Sequence, residues 1–447
     1  MPAANVAAQA GEAQINLFEI YSNYGKPVDV SSGCIELMYY ESLLDNSVRA
    51  TATLVDTGFR SSGGGSAAVE KDDINLTVGE KVNLKVTDGN QYNLNFSGDK
   101  QFRIEEVRNV DESNNKMMFT IDLFSKESID NTLAQNRVIQ RFDGKISDSV
   151  TKILKENLKT PKTLDIDTTL NSQSLVGKTV DTPFYTATWL ASRSVPDIKD
   201  AKANLAGFFF YETYDGFKFK SIDKLFEQQP KKKYIFNNLI RCEAGEKPDG
   251  YDGKILDFAF DSTLDLKNVL MTGSQTSTEL SAGNFYESAF RKNSFSSSSQ
   301  FFETNTGGKE QPLIASDLKL QEQVTRRSYK WDDTGILVEG KDLLSQLPKS
   351  TYNNYNNDEV LRQSYMRYNN LFSIKLSIAI AGDMSLRAGD LIHCDFPEIS
   401  DKKNTLVSQK KSGVYMIVDI AHRVTKNGCY TRINLVRESI GRKAAKM

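Results

Sequence analysis

The residues that could do chemistry are few. Histidine occurs twice, as His393 and His422. His393 precedes Cys394 inside a strand-like pattern, and His422 follows the apolar stretch Val414–Ala421. A metal site needs three or four converging ligands, and neither histidine has a partner at ligand spacing. The four cysteines, Cys34, Cys242, Cys394 and Cys429, are scattered with no C-x-x-C pair. That spacing suits reduced thiols better than a zinc site or a disulfide framework. No G-x-S-x-G elbow is present to carry a nucleophilic serine. Gly63-Gly64-Gly65 lacks the Gly-Lys-Ser/Thr that would make it a phosphate loop. The expectation is a chain with no catalytic, cofactor-binding or metal-binding residues, hence not an enzyme.

Composition points the same way. The 447 residues carry a net charge of −2, so no overall basic field draws the chain to nucleic acid. Met1–Gln14 has neither basic residues nor an apolar core, unlike a signal peptide. No apolar run approaches the ~20 residues of a membrane span, so no membrane anchor is expected. The basic runs Lys231–Lys233 and Arg442–Lys446 read as solvated surface. The length exceeds what one core usually serves, and 28 glycines against 10 prolines favour strands and turns over a helical bundle.

Strands dominate from Ile15 onward. Cys34–Tyr40 and Val48–Asp56 flank the turn Leu43–Asn46. Leu76–Val86 and Phe102–Phe124 follow, the latter folded back at Asp111–Lys116. Ile146, Val150, Ile153, Leu154 and Leu158 form one apolar helix face, with Ser147 or Asp148 as cap. Thr182-Pro183 reads as N-cap and first position of a second helix. Gly207–Tyr214, Asp215-Gly216 and Phe217–Ile222 read as a hairpin with a type I′ turn. Glu359–Tyr368 reads as a helix leading into the alternating strand Phe372–Ala381. Arg60–Ala68 and residues 275–312 are polar and weak in fold signals, and are expected to be exposed and poorly packed.

An internal echo organises these elements. Leu76-Thr-Val-Gly79-Glu80 leads into a strand, as does Leu386-Arg-Ala-Gly389-Asp390. Phe102–Val107 then parallels Tyr415–Ile420, and Ile121–Ser128 parallels Ile433–Ser439. The order of elements matches as well as their content, so the pattern predicts two copies of one β-barrel-type domain.

The set Gly389-Asp390, Gly413–His422 and Gly428–Leu435 resembles the end of phage hub proteins. So do Tyr39–Leu43 with Thr53–Asp56, and Pro183-Phe184, Trp189–Arg193 and Phe208–Thr213 with Gly216-Phe217. That group comprises the baseplate central hub of T-even-like contractile-tailed phages, late-control proteins of simpler phages and the base of type VI secretion spikes. The resemblance implies a mainly β chain with a few helices (α+β), built of two tube-type antiparallel β-barrel domains plus peripheral insertions. The expected boundaries are a flexible arm over 1–14, a first barrel domain over 15–128, and a helix and hairpin region over 129–230 belonging to the second barrel. Residues 231–275 would complete the first barrel, 276–364 form a peripheral polar insertion, 365–440 the second barrel, and 441–447 a basic tail. Implied too are a homotrimeric pseudo-sixfold ring and a channel passing DNA. Its partners would be a spike protein held through its N-terminal domain, tail tube initiator or tube proteins, and other baseplate (wedge) proteins. The setting would be a virion tail assembled in the host cytoplasm. The glycine loop near Gly63–Gly65 and the insert at 275–312 depart from the family pattern. The alternative reading is an all-β tail-associated protein that binds glycan or degrades peptidoglycan, which would call for clustered exposed aromatics beside paired acids.

Overall fold

The computed structural model describes residues 11–21, 27–56, 76–113, 116–139, 141–170, 173–176, 181–197, 206–236, 248, 250–262, 277–283, 288–294, 331–332, 364, 367–368, 371–372, 374–397, 407–408 and 411–437. Cys242, the Gly63–Gly65 loop, the basic tail and most of 295–363 lie outside them, as do residues 1–10 of the expected arm, whose last residues already belong to a strand.

The first unit is built from β1 (Ala13–Tyr21), β2 (Cys34–Ser42), β3 (Arg49–Asp56), β4 (Lys81–Asp88), β5 (Phe102–Ser113) and β6 (Lys116–Ser125). Their spatial order is β1-β4-β5-β6-β3-β2, and every ladder is antiparallel. Between β1 and β2 the curl is bridged by Val28–Asp29, which pairs with β1, and by the Val30 N–H donating to the Phe18 carbonyl at 2.8 Å. Alternation decides which side chains go inside: Val82, Leu84 and Val86 of β4 face Ile121 and Leu123 of β6 in one buried core.

The second unit uses β10 (Lys232–Ile235), β11 (Gly253–Ser262), β12 (Ile374–Ala381), β13 (Leu391–Asp395), β14 (Gly413–Thr425) and β15 (Gly428–Arg437). The order β10-β13-β14-β15-β12-β11, returning to β10, closes a six-stranded barrel. Chain order and spatial order both repeat those of the first unit, β10 standing for β1, β11 for β2, and so on to β15 for β6. The register repeats with them. Ile104 faces Leu123 as Ile417 faces Leu435, and a bulge then shifts the ladder so that Glu106 faces Asp122 as Asp419 faces Asn434. On the other side Leu37 faces Ala52 as Phe258 faces Ile378, each just after a bulge in its strand. One strand departs: β10 runs parallel to both neighbours, where β1 runs antiparallel to β4.

Two boundaries expected from sequence are corrected here. β10 and β11, from the segment 231–275, complete the second barrel and not the first. Burial alternation specifies which face of a strand goes inside, not which sheet receives it. Among the described residues, the region 129–230 contributes no strand to either unit; it folds on a core of its own. Into that core α2 (Ile146–Lys152) and α3 (Pro183–Ala191) send Ile146, Val150, Phe184 and Leu190. They pack on the sheet of β7 (Leu164–Ile166), β8 (Phe208–Thr213) and β9 (Gly216–Ser221). Thr182 caps α3, its hydroxyl accepting from the Tyr185 N–H, with Pro183 at the first turn. α2 begins after Lys145 without a side-chain cap, and its apolar face continues through a π turn over Ile153–Asn157. The β8–β9 turn residues are Tyr214-Asp215, one position earlier than expected, because Gly216 already pairs with Thr213. Gly216 has φ +125°, and any Cβ there would run into the Thr163 carbonyl.

Of the polar insertion expected over 276–364, residues 277–283, 288–294, 331–332 and 364 are described. Ser277–Gly283 and Ser288–Ser294 form an antiparallel hairpin, joined in parallel by Trp331–Asp332. Of the helix expected over 359–368, Ser364, Arg367 and Tyr368 are described and helical.

Candidate assembly interface

The two units meet edge to edge. Residues Glu36–Ser42 of β2 pair antiparallel with Asp419–Thr425 of β14, Tyr39 opposite His422 and Leu37 opposite Val424. β14 serves both neighbours by being long: Gly413–Met416 pair with β13, and the overhanging half pairs with β2. Val424, Cys429 and Met384 of the second unit lie in the core of the first. The seam is therefore sealed by continuous apolar packing as well as by the ladder. Burying a side chain of this size is worth about 1.5–3 kcal/mol.

Behind the ladder sits a buried polar cluster drawn from all three parts of the chain. Glu41 lies on the same face of β2 as Leu37 and Tyr39, and all three are buried. Its carboxylate accepts from the Tyr39 hydroxyl at 2.8 Å, the Tyr214 N–H at 2.9 Å and the Ala388 N–H at 3.1 Å. Arg387 places its Nε 3.7 Å from Glu41 and 3.4 Å from Asp215. Its guanidinium donates to the Met384 and Leu386 carbonyls and to the Tyr92 hydroxyl, and it lies over the Tyr92 and Tyr214 rings. Burial pushes the Glu41 carboxyl above the ordinary carboxylate range, although Arg387 and three donors oppose it. Burial also disfavours the Arg387 charge, but Glu41, Tyr39, Asp215 and Tyr92 together hold the guanidinium above its usual value. The carboxylate is the weaker half of the pair, since its donors do not fully replace water.

A second buried network ties the middle region to the first unit. Lys162, from the loop before β7, donates to Glu127 of α1 (Lys126–Thr132) at 2.6 Å and to Glu212 of β8 at 2.5 Å. Glu212 also accepts from the Val48 N–H at 3.0 Å. Burial works against the Lys162 ammonium, yet Glu212 and Glu127 raise its pKa. Tyr211, Phe209 and Ile222 then cover the outer face of the second barrel at Val414, Met416 and Val418. This explains why Val414–Val418 is buried on both faces.

His422 is buried in the seam, its Nδ1 2.9 Å from the Thr431 hydroxyl and its ring stacked 6.0 Å from Tyr39. Burial, with a smaller push from Arg387, lowers its pKa to about 3, so the ring is neutral. His393 lies 2.8 Å from Asp395 on its own strand. Cys34, Cys394 and Cys429 are separate buried thiols. Among the described residues no group of three or more His, Cys, Asp or Glu could hold a metal ion, and no helix is long and apolar enough to cross a membrane. Trp189 carries the Arg193 guanidinium 4.0 Å above its ring, and Lys231 pairs with Asp390 at 2.8 Å.

The joint residues Glu41, Glu212 and Arg387 were not singled out by sequence. Their signal was present: an acid at the third inward position of Leu37-x-Tyr39-x-Glu41, and again of Phe208-x-Phe210-x-Glu212. A charge on a buried stripe demands a partner.

Against solved structures, the whole chain matches the tail protein from Neisseria meningitidis MC58, with a TM-score of 0.51 at 10% identity over 97% of this chain and 98% of that one. The fold is that of a tail protein. Weaker matches are the 43 kDa tail protein of prophage MuSo2 from Shewanella oneidensis (TM-score 0.47, 8% identity, 96% and 99% covered). The E. coli c3393 protein, a component of the type VI secretion system, follows (0.44, 9%, 96% and 79%). No protein-family model and no curated protein sequence matches the chain.

Proposed function

We propose that the chain is a structural hub subunit of a contractile phage tail baseplate. Three copies form a pseudo-sixfold ring between the tail tube and the cell-puncturing spike, around a channel that passes DNA. The observation that carries this reading is the duplication itself: two units with the same strand order and the same bulge positions in one chain. A sixfold tube and a threefold spike share a threefold axis, and a trimer of duplicated units meets both with one kind of subunit. The partners in this reading are the N-terminal domain of the spike protein, tube or tube-initiator proteins and baseplate wedge proteins. The role is structural and non-enzymatic, in a virion tail assembled in the host cytoplasm.

The test is the mass of the purified full chain by analytical ultracentrifugation, alone and with spike and tube proteins. A trimer that co-sediments with both is expected. A chain that stays monomeric with and without these partners overturns the reading.

A further inference from the structure

The seam between the units is heterologous: a β2-type edge of the first unit meets a β14-type edge of the second. Because the units are copies, each has both edges, and one seam uses only half of them. The unused pair is the β2-type edge of the second unit, on β11, and the β14-type edge of the first unit, on β5. β11 pairs with β12 along one side, and on the other only Gly253 and Lys254 are paired, with β10. β5 pairs with β6 along one side, and on the other only Phe102, Arg103 and Ile104 are bonded, to β4 and to the Gly79-Glu80 turn just before it. Among the described residues, Asp257–Ser262 and Glu106–Ser113 therefore present backbone donors and acceptors without a ladder partner, which a sheet edge does not leave open without consequence.

Burial marks the same two edges. Phe258 and Phe260 occupy the positions that Leu37 and Tyr39 hold in the first unit. Leu37 and Tyr39 are 1% and 3% exposed beneath the seam, whereas Phe258 and Phe260 are only partly buried and Leu256 is 49% exposed. The second unit thus carries the apolar side chains of a seam without the strand that would cover them. A head-to-tail contact that leaves complementary halves at its two ends closes into a ring or runs on as a filament.

Resting on the trimeric hub reading, we propose that β11 of one copy pairs antiparallel with β5 of the next copy, repeating the β2–β14 seam. Transferring the register fixes the partners. Tyr40 opposite Ala421 becomes Asp261 opposite Arg108, and Glu41 opposite Ile420 becomes Ser262 opposite Val107. The first pair sets opposite charges across the new seam. The occupant of this edge is a second copy of the chain, and the surface is not a docking site for an unrelated peptide.

The experiment uses the full chain with Asp261→Cys and Arg108→Cys together. Directly opposed residues in an antiparallel ladder sit about 4.5–5.5 Å apart at Cα, within disulfide reach. Mild oxidation is expected to give a non-reducing gel ladder ending at covalent trimer, with the sedimenting mass unchanged. Asp257→Cys with Arg108→Cys, displaced by about 13 Å along the strand, is expected to give none. Val107→Cys with Ser262→Cys repeats the test one position on, should the first pair disturb folding. An assembled trimer in which neither matched pair links, or in which the displaced pair links equally, overturns the edge assignment and leaves the ring reading standing. A chain that is monomeric with its partners present overturns both.

Discussion

Gly79 and Gly389 hold the same backbone conformation, φ +90° and +87°, and make the same bonds in the two units. The Gly79 N–H donates to the Ile104 carbonyl at 2.7 Å, and the Gly389 N–H to the Ile417 carbonyl at 2.8 Å. The next residue closes the loop in each: Ile104 N–H to the Glu80 carbonyl at 3.0 Å, and Ile417 N–H to the Asp390 carbonyl at 2.9 Å. Two glycines far apart in sequence thus mark one structural position.

Their substitutions should differ all the same. An alanine Cβ at Gly79 meets nothing, so Gly79→Ala is expected to cost only the left-handed strain, about 1–2 kcal/mol. A Cβ at Gly389 runs into the Tyr211 hydroxyl, so Gly389→Ala should cost more. Adding Tyr211→Phe should recover part of the difference. Urea unfolding of the three variants measures it, and equal losses for the two single glycine variants would contradict the argument.

Glu41→Gln should destabilise the seam by about 1–3 kcal/mol, because it removes the buried carboxylate beside the Arg387 guanidinium and leaves the half-exposed Asp215 as its counter-charge. Arg387→Met should cost a similar amount. The double variant should cost clearly less than the sum, since the two groups share one interaction. A double-mutant cycle by chemical denaturation checks this; strict additivity would mean that the pair is not coupled.

Lys162→Met should leave Glu127 and Glu212 facing each other in a buried site, again at about 3–5 kcal/mol near neutral pH. Without the ammonium, burial and the Glu127 charge hold the Glu212 carboxyl further above its ordinary range, so the penalty grows as pH increases. The variant's deficit should therefore shrink towards acid pH. A deficit independent of pH would point to lost packing in place of lost charge.

His422 sets an acid limit. Its folded-state pKa is about 3 against 6.5 for the free side chain, so the unfolded chain binds the extra proton throughout that window. The His422 contribution is complete above pH 6.5 and declines progressively as pH falls towards 3, by roughly 3–5 kcal/mol in all. His422→Gln, which keeps a hydrogen-bonding group near Thr431, should flatten this part of the stability–pH profile. An unchanged slope would assign the acid loss to other groups.

Much of this molecule was legible in the chain because it depends on local rules. The Gly79/Gly389 echo could be read because a positive φ followed by a strand selects glycine wherever it occurs. The helix face Ile146–Leu158 and the Thr182-Pro183 start follow from periodicity and from the missing N–H of proline. The joint was only half visible: Glu41 and Glu212 stand out as acids on apolar stripes, but nothing local names Arg387 or Lys162 as their partners.

The sequence by itself determined the strands, their inward faces, the turn glycines and the repetition of one pattern in two places. Tertiary structure alone decided that β10 and β11 belong to the second barrel, that the middle region keeps its own core, and that β2 seats on the overhang of β14. The physical reason is that side-chain alternation records which face of a strand is dry, whereas ladder hydrogen bonds come from the backbone, which is the same for every residue but proline. A strand's neighbour is therefore settled by which edges remain free and which side chains still need cover once the rest of the chain is in place.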